Sequence, residues 1–315
     1  MQPILPWLLA GDVAIQYQVH RDLLGQDRPD LRQRVATEGW GKAILARQDP
    51  GGHWGSGYYQ PKWTSTHYTL LDLRNLELPP DNPAVSACLG TVMLREKGAD
   101  GGINPSGTVK ESDVCINGMA LNFACHFGAP LTDLTSIVDF ILAQAMPDGG
   151  WNCRANRSGA VHSSLHSTVS VLEGLHQYRA AGHAYRLDEI EAASGRAIEF
   201  LLVHQLFLSD RTGAIIDPKF LHYTWPWRWH YSTLRALDLL RLSGLPYDPR
   251  LEKAFHHLLG RRGPDGLWKL QSRHAGEEHV VMEKAGLPSR WITLIALRVL
   301  RHFRPAELAG LLDAR

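Results

Sequence analysis

Apolar residues recur three and four positions apart along almost the whole chain, a spacing that lays one apolar stripe along a helix, and no stretch alternates as a strand would. The spacing predicts a first helix over 12–24, carrying Ala14, Ile15, Tyr17, Val19, Leu23 and Leu24, opened by Asp12 as a cap and closed by Gly25. A second follows Pro29 with Leu31, Val35, Trp40, Ile44 and Leu45, and stops at Gln48-Asp-Pro-Gly-Gly-His-Trp54. That ending returns as Gly98-Ala-Asp-Gly-Gly-Ile103, Pro147-Asp-Gly-Gly-Trp151 and Pro264-Asp-Gly-Leu-Trp268, with a degraded copy at Asp210-Arg-Thr-Gly-Ala-Ile215. Trp54, Trp151 and Trp268 are read as structural, because each sits at this punctuation and can tuck under a neighbouring helix end.

A second kind of helix follows the punctuation, opening on polar or aromatic residues and continuing apolar. Its starts are Thr64-Ser-Thr-His67-Tyr68, Ser112-Asp113-Val-Cys115, Leu165-His166-Ser-Thr, Trp229-His230-Tyr231-Ser-Thr and Ser289-Arg290-Trp291-Ile-Thr. Tyr68, Cys115 and His166 lie about fifty residues apart, the scale of a supersecondary repeat. With the helix at Asp12, six such helices alternate with outer helices near 29–48, 83–97, 131–146, 188–206, 249–262 and after Pro305. Six pairs close a ring. The expected fold is all-α, an (α/α)6 toroid of six inner and about six outer helices, whose inner N-termini face one mouth of a central cavity. An open solenoid is the competing arrangement, and the low charge in the middles of the inner helices favours the ring. No linker interrupts the pattern, so one domain spans 1–315.

Composition narrows the function. A net charge of +1 with no Lys/Arg cluster argues against a nucleic-acid surface. The mean hydropathy of -0.21 fits a soluble chain. The apolar start has no basic region and reaches Gly11 too soon for a signal or a membrane span, which places the protein in the cytoplasm. The four cysteines (Cys88, Cys115, Cys125, Cys153) form no Cys-x-x-Cys and are expected as thiols, core residues or metal ligands.

Ten Trp and sixteen His are present, and several sit beside each other or at the inner-helix starts. His67, Tyr68, His162, His230, Tyr231 and Glu283 are the candidate acids and bases. Lys110, Arg228 and Arg290 are candidate anion anchors beside six helix N-termini, and Trp227 and Trp229 candidate walls of an apolar pocket. Asp113, Cys115 and His166 supply one carboxylate, one thiol and one imidazole, an acceptable set for a catalytic zinc with an open position. Residues two apart on a helix point to different sides, so Asp113 and Cys115 share a metal only if Asp113 sits in the non-helical cap position. Cys153 and His162 are reserve ligands.

The punctuation resembles the repeat motif of squalene-hopene cyclases and of protein prenyltransferase β subunits, both α/α toroids. Over 64–175 the helix starts follow the β-subunit order: His67-Tyr68-Thr69 resembles its diphosphate-site Gly-Tyr-Thr, Asp113-Val-Cys115 its Asp-x-Cys zinc pair, and His166 to Leu175 the segment opened by its zinc histidine. Lys110 matches its diphosphate lysine, whereas its arginine and tyrosine are replaced by Gly107 and Ile116. No Asp-x-Asp-Asp acid and no Asp-Asp-x-x-Asp run is present. The resemblance implies a zinc-dependent enzyme that transfers or cyclises a prenyl-like or other anionic small molecule in the central cavity. The alternatives are a lyase, hydrolase or cyclase using zinc or His, Tyr and Arg on a polar small molecule, and a non-catalytic toroid that binds a peptide or lipid. No obligate partner subunit announces itself.

Overall fold

A computed structural model describes residues 4–106 and 109–313. Gly107, the position expected to mark a lost arginine, lies outside the described residues. The helices in chain order are α1 (Ile4–Leu9), α2 (Val13–Val19), α3 (Pro29–Arg34), α4 (Gly39–Leu45), α5 (Thr66–Asn75), α6 (Pro83–Arg95), α7 (Val114–His126), α8 (Leu131–Ala143), α9 (Ala155–Ser158), α10 (Leu165–Ala180), α11 (Leu187–Val203), α12 (Thr233–Leu242), α13 (Glu252–Gly260), α14 (Arg290–Phe303) and α15 (Pro305–Asp313). The chain is all-α, with isolated bridges and no extended strand among the described residues.

Helices α2, α5, α7, α10, α12 and α14 are the inner set, buried along almost their whole length. Neighbours pack in the order α5, α7, α10, α12, α14, and α14 returns to α2. Side chains fasten the closure. Arg298 on α14 donates from Nε to Asp238 of α12 at 2.8 Å and from Nη1 to Gln18 and Asp22 of the first inner segment at 3.1 and 3.0 Å. Gln18 in turn donates to the Asn75 carbonyl at the end of α5 at 2.9 Å. The expected ring of helix pairs is therefore the observed one.

The punctuation acts as a clamp between each outer helix and the next inner one. Trp54, Trp151 and Trp268 are fully buried. Their indole N–H groups donate to the Ile44, Ile141 and Leu258 carbonyls at 3.0, 2.8 and 2.7 Å, capping outer-helix ends. Their backbone N–H groups donate to the hydroxyls of Thr66, Thr168 and Thr293 in the first turns of α5, α10 and α14, at 3.0, 3.0 and 3.1 Å. One Trp thus supplies packing area and satisfies two otherwise orphaned polar groups. In the fourth copy Ile103 takes the same place, and its N–H donates to Asn117 at 2.6 Å.

Two features depart from the expected pattern. The first outer helix is broken between α3 and α4, where Gly39 adopts φ +55° and a side chain would collide with the Asp12 carboxylate that accepts from Trp40 N. Helices α7 and α10 meet backbone to backbone, because a Cβ on Gly174 would stand 2.3 Å from the Gly118 carbonyl oxygen. That approach draws the starts of the two helices, and so Cys115 and His166, onto neighbouring parts of the rim.

Candidate functional site

An open cleft of about 640 Å³ lies near the inner-helix starts, large enough for a small-molecule ligand. Lys62, Trp63, His166, Trp229, His230 and His274 line it, with Thr224 beneath. Lys62 and Trp63 precede α5, His166 lies in the first turn of α10, Trp229 and His230 precede α12, and His274 comes from the long loop before α14. Trp63 Nε1 donates to the Ala275 carbonyl at 2.6 Å, which ties that loop to the wall.

The wall is a stack. His230 lies between Trp229 and His274, with ring centroids 3.8 Å away on both sides and interplanar angles of 25° and 10°. Burial lowers the His230 pKa to about 3, helped by His274 and His166 nearby. Burial and then Arg228 lower His274 to about 4, opposed by a hydrogen bond to the Pro226 carbonyl. Both rings are neutral at pH 7. The Pro226 bond fixes one nitrogen of His274 as donor, and Nε2 stands 3.5 Å from the Thr224 hydroxyl. The Lys62 ammonium sits over the indoles of Trp63 and Trp229 at 4.8 and 5.1 Å.

The three expected zinc ligands are not gathered on one point. Among the described residues no three His, Cys, Asp or Glu side chains are placed to hold a metal. Asp113 does occupy the extended cap position of α7, but its carboxylate pairs with Arg157 rather than facing Cys115. His166 Nδ1 accepts the Tyr231 N–H at 2.8 Å, so the neutral ring carries its proton on Nε2 and neither nitrogen offers a metal its lone pair. Cys115 meets Cys153 instead. Its thiol is pushed well up because it donates to the Cys153 sulfur, and then by burial. Cys153 is lowered, as the acceptor of the Cys115 thiol and of the Ser167 hydroxyl. Cys153 is accordingly expected to alkylate before Cys115 as pH rises, read by peptide mass spectrometry after iodoacetamide pulses. Cys115 labelling first would contradict this.

Most of the other expected site residues have structural duties. His67 and Tyr68 are fully buried below the cleft, hydrogen-bonded to Tyr58 at 2.8 Å and Tyr59 at 2.7 Å. Tyr231 donates its hydroxyl to the Leu206 carbonyl at 2.5 Å. Glu283 caps α14, accepting from Arg290 N at 2.6 Å and from Ser289. Arg290 donates to the Trp7 carbonyl at 3.0 Å and stacks on Trp7. His162 is exposed on a separate outer cleft, and Lys110 is exposed on the loop before α7. Arg228 is only 2% exposed, with φ +54°, and lies 4.6 Å over Trp63 while Nη2 reaches Glu278 at 3.0 Å and Asp72 at 3.6 Å. Trp227 turns inward beside it, away from the cleft. Of the expected residues, His166, Trp229, His230 and Tyr231 line the cleft, joined by Lys62, Trp63, Thr224 and His274.

No protein-family model matches the chain, and no curated protein sequence matches it. Among solved structures, a type II terpene cyclase from Scytonema, MstE, in complex with its substrate geranylgeranyl dihydroxybenzoate, aligns with 90% of this chain and 97% of that one, at 14% identity and a TM-score of 0.34. A superposition that loose carries no argument, and the ring architecture stands on its own contacts. No helix among the described residues is long and apolar enough to cross a membrane.

Proposed function

We propose that the protein is an acid–base enzyme that acts, in the mouth cleft, on a small molecule with an apolar body and an anionic end. The observation that carries this reading is the stacked pair of neutral imidazoles beside a lysine held over two indoles, all on the wall of a cleft of about 640 Å³. The indoles offer the apolar body a face, and Lys62 offers the anion its counter-charge. An anion seated against His230 and His274 favours their charged forms and raises their pKa toward neutrality. Binding then draws a proton into the site and makes one imidazole a general acid, while its partner stays neutral and can take a proton back. Proton delivery to one atom and removal from another is the chemistry of cyclisation, isomerisation or elimination. The reading routes no step through zinc, because the Asp113, Cys115 and His166 donors do not fit it.

Farnesyl diphosphate is a probe of the right form. Tryptophan quenching is expected to show micromolar binding at pH 7.5, weakened about tenfold or more in Lys62→Ala, the order of one charge-assisted hydrogen bond. His274→Phe is expected to retain binding and to lose about 10²- to 10⁴-fold in product formation, read by mass spectrometry of the extracted products. Equal binding by wild type and Lys62→Ala would reject the cleft. Binding without turnover in the wild type would leave a carrier rather than an enzyme.

A further inference from the structure

At the heart of the ring, on the far side of Arg228 from the cleft, lies a second and much smaller cavity of about 60 Å³. We propose that it binds a small monovalent anion of the size of chloride, nitrate or formate. Arg74, Trp225, Trp227 and Arg228 line it, and the last three are more than nine-tenths buried. Among the described residues no protein acceptor reaches Arg228 Nε or Nη1, the indole N–H of Trp225 or Trp227, or Arg74 Nε. Buried donors of this kind are costly unless something accepts from them.

The identity of the acceptor follows from what else lines the space. The three carboxylates there are already committed, Glu77 to Arg21, Glu173 to Arg235 and Asp238 to Arg298. Among the described residues Arg74 hydrogen-bonds only to neutral partners, Gln177 at 3.0 Å and Asn75 at 3.4 Å, and burial still lowers its pKa while Glu77 and Glu173 act on its charge without a direct ion pair. Water fits less well, since each molecule must place its own hydrogens on carboxylates that are already turned to arginines. An anion accepts from every side, needs no acceptor in return, and offsets the Arg74 charge. A volume of about 60 Å³ has room for a few heavy atoms, which excludes a diphosphate or a sugar acid. This site does not depend on the reading of the cleft.

The test uses the wild-type protein first. Crystals grown with bromide in place of chloride are expected to show an anomalous peak inside the cavity, between Arg228 and Trp227. In solution, chloride, nitrate and formate are expected to raise the unfolding temperature saturably, and gluconate at equal ionic strength is not. Arg74→Met is expected to weaken that response at least tenfold in anion concentration, and Trp227→Phe, which keeps the packing and removes one N–H, to weaken it several-fold. A bromide map without a cavity peak overturns the proposal, as does a gluconate response equal to that of chloride.

Discussion

Replacing Arg228 with methionine should lower the free energy of unfolding by about 3–5 kcal/mol, the range for removing one partner of a buried ion pair. The guanidinium stands between Asp72 and Glu278, whose side chains are 8% and 6% exposed. Asp72 shows how strained that balance is. Burial pushes its pKa up to about 6 even with Arg228 pulling it down, and Glu278 adds to the rise. Without Arg228 two carboxylates remain in a poorly solvated space, with Arg273 as the neighbour of Glu278 on its outer side. Methionine retains much of the apolar stem, so the loss reports the charge rather than a void. Denaturant unfolding of Arg228→Met, and of Arg228→Met combined with Asp72→Asn and Glu278→Gln, checks the cause. The triple variant should recover a substantial part of the loss. A single-variant loss below about 1 kcal/mol, the value of an exposed pair, would contradict the account.

Stability should also fall by at least about 3 kcal/mol between pH 7.5 and pH 5, the net of the two most deeply buried imidazoles and Asp72. His166, His176, His230 and His274, all lowered by burial, add to the loss. His67 is fully buried and its pKa is lowered to about 3 by burial, and His126 is lowered to about 4 by burial. A group whose folded pKa lies below its unfolded value of about 6.5 contributes stability that is complete above that value and is lost as pH falls toward the folded pKa. At pH 5 each of these two imidazoles costs about 2 kcal/mol. Asp72 works the other way. Its raised pKa means that the folded state takes up a proton first on acidification, returning about 1 kcal/mol by pH 5. Chemical unfolding at several pH values should show the decline, smaller by about 2 kcal/mol in His67→Phe with Tyr58→Phe, which deletes the imidazole and the hydroxyl bonded to it. A flat profile between pH 7.5 and 5 would contradict the burial of neutral histidines.

The ring was legible because it is written locally and repeatedly. The Asp-Gly punctuation, the Trp that follows it and the Thr in the next helix start are the three parts of one clamp, visible as residues before the bonds Trp151 makes to Thr168 and Ile141 are known. The site was legible only in part. In the run 225–231 the left-handed turn at Arg228 sends that side chain and Trp227 inward and leaves Trp229 and His230 on the cleft. Periodicity does not reveal such a turn. His274 and Lys62 come from loops 212 residues apart that are joined at Trp63 and Ala275, and no local pattern encodes that meeting. The expected zinc donors are turned to other partners: Arg157, on the four-residue helix α9, pairs with Asp113, and the Tyr231 N–H donates to His166 Nδ1.

Proton uptake on ligand binding tests the central claim most directly. Naphthalene-2-sulfonate has an apolar body and a charge that does not titrate, so calorimetric titration at pH 5.5 in two buffers of different ionisation enthalpy isolates the protein's own protons. The account predicts uptake of close to one proton, an affinity about tenfold higher than at pH 7.5, and loss of both effects in His230→Phe with His274→Phe. Binding heats that are independent of the buffer, or an affinity unchanged between the two pH values, would contradict it.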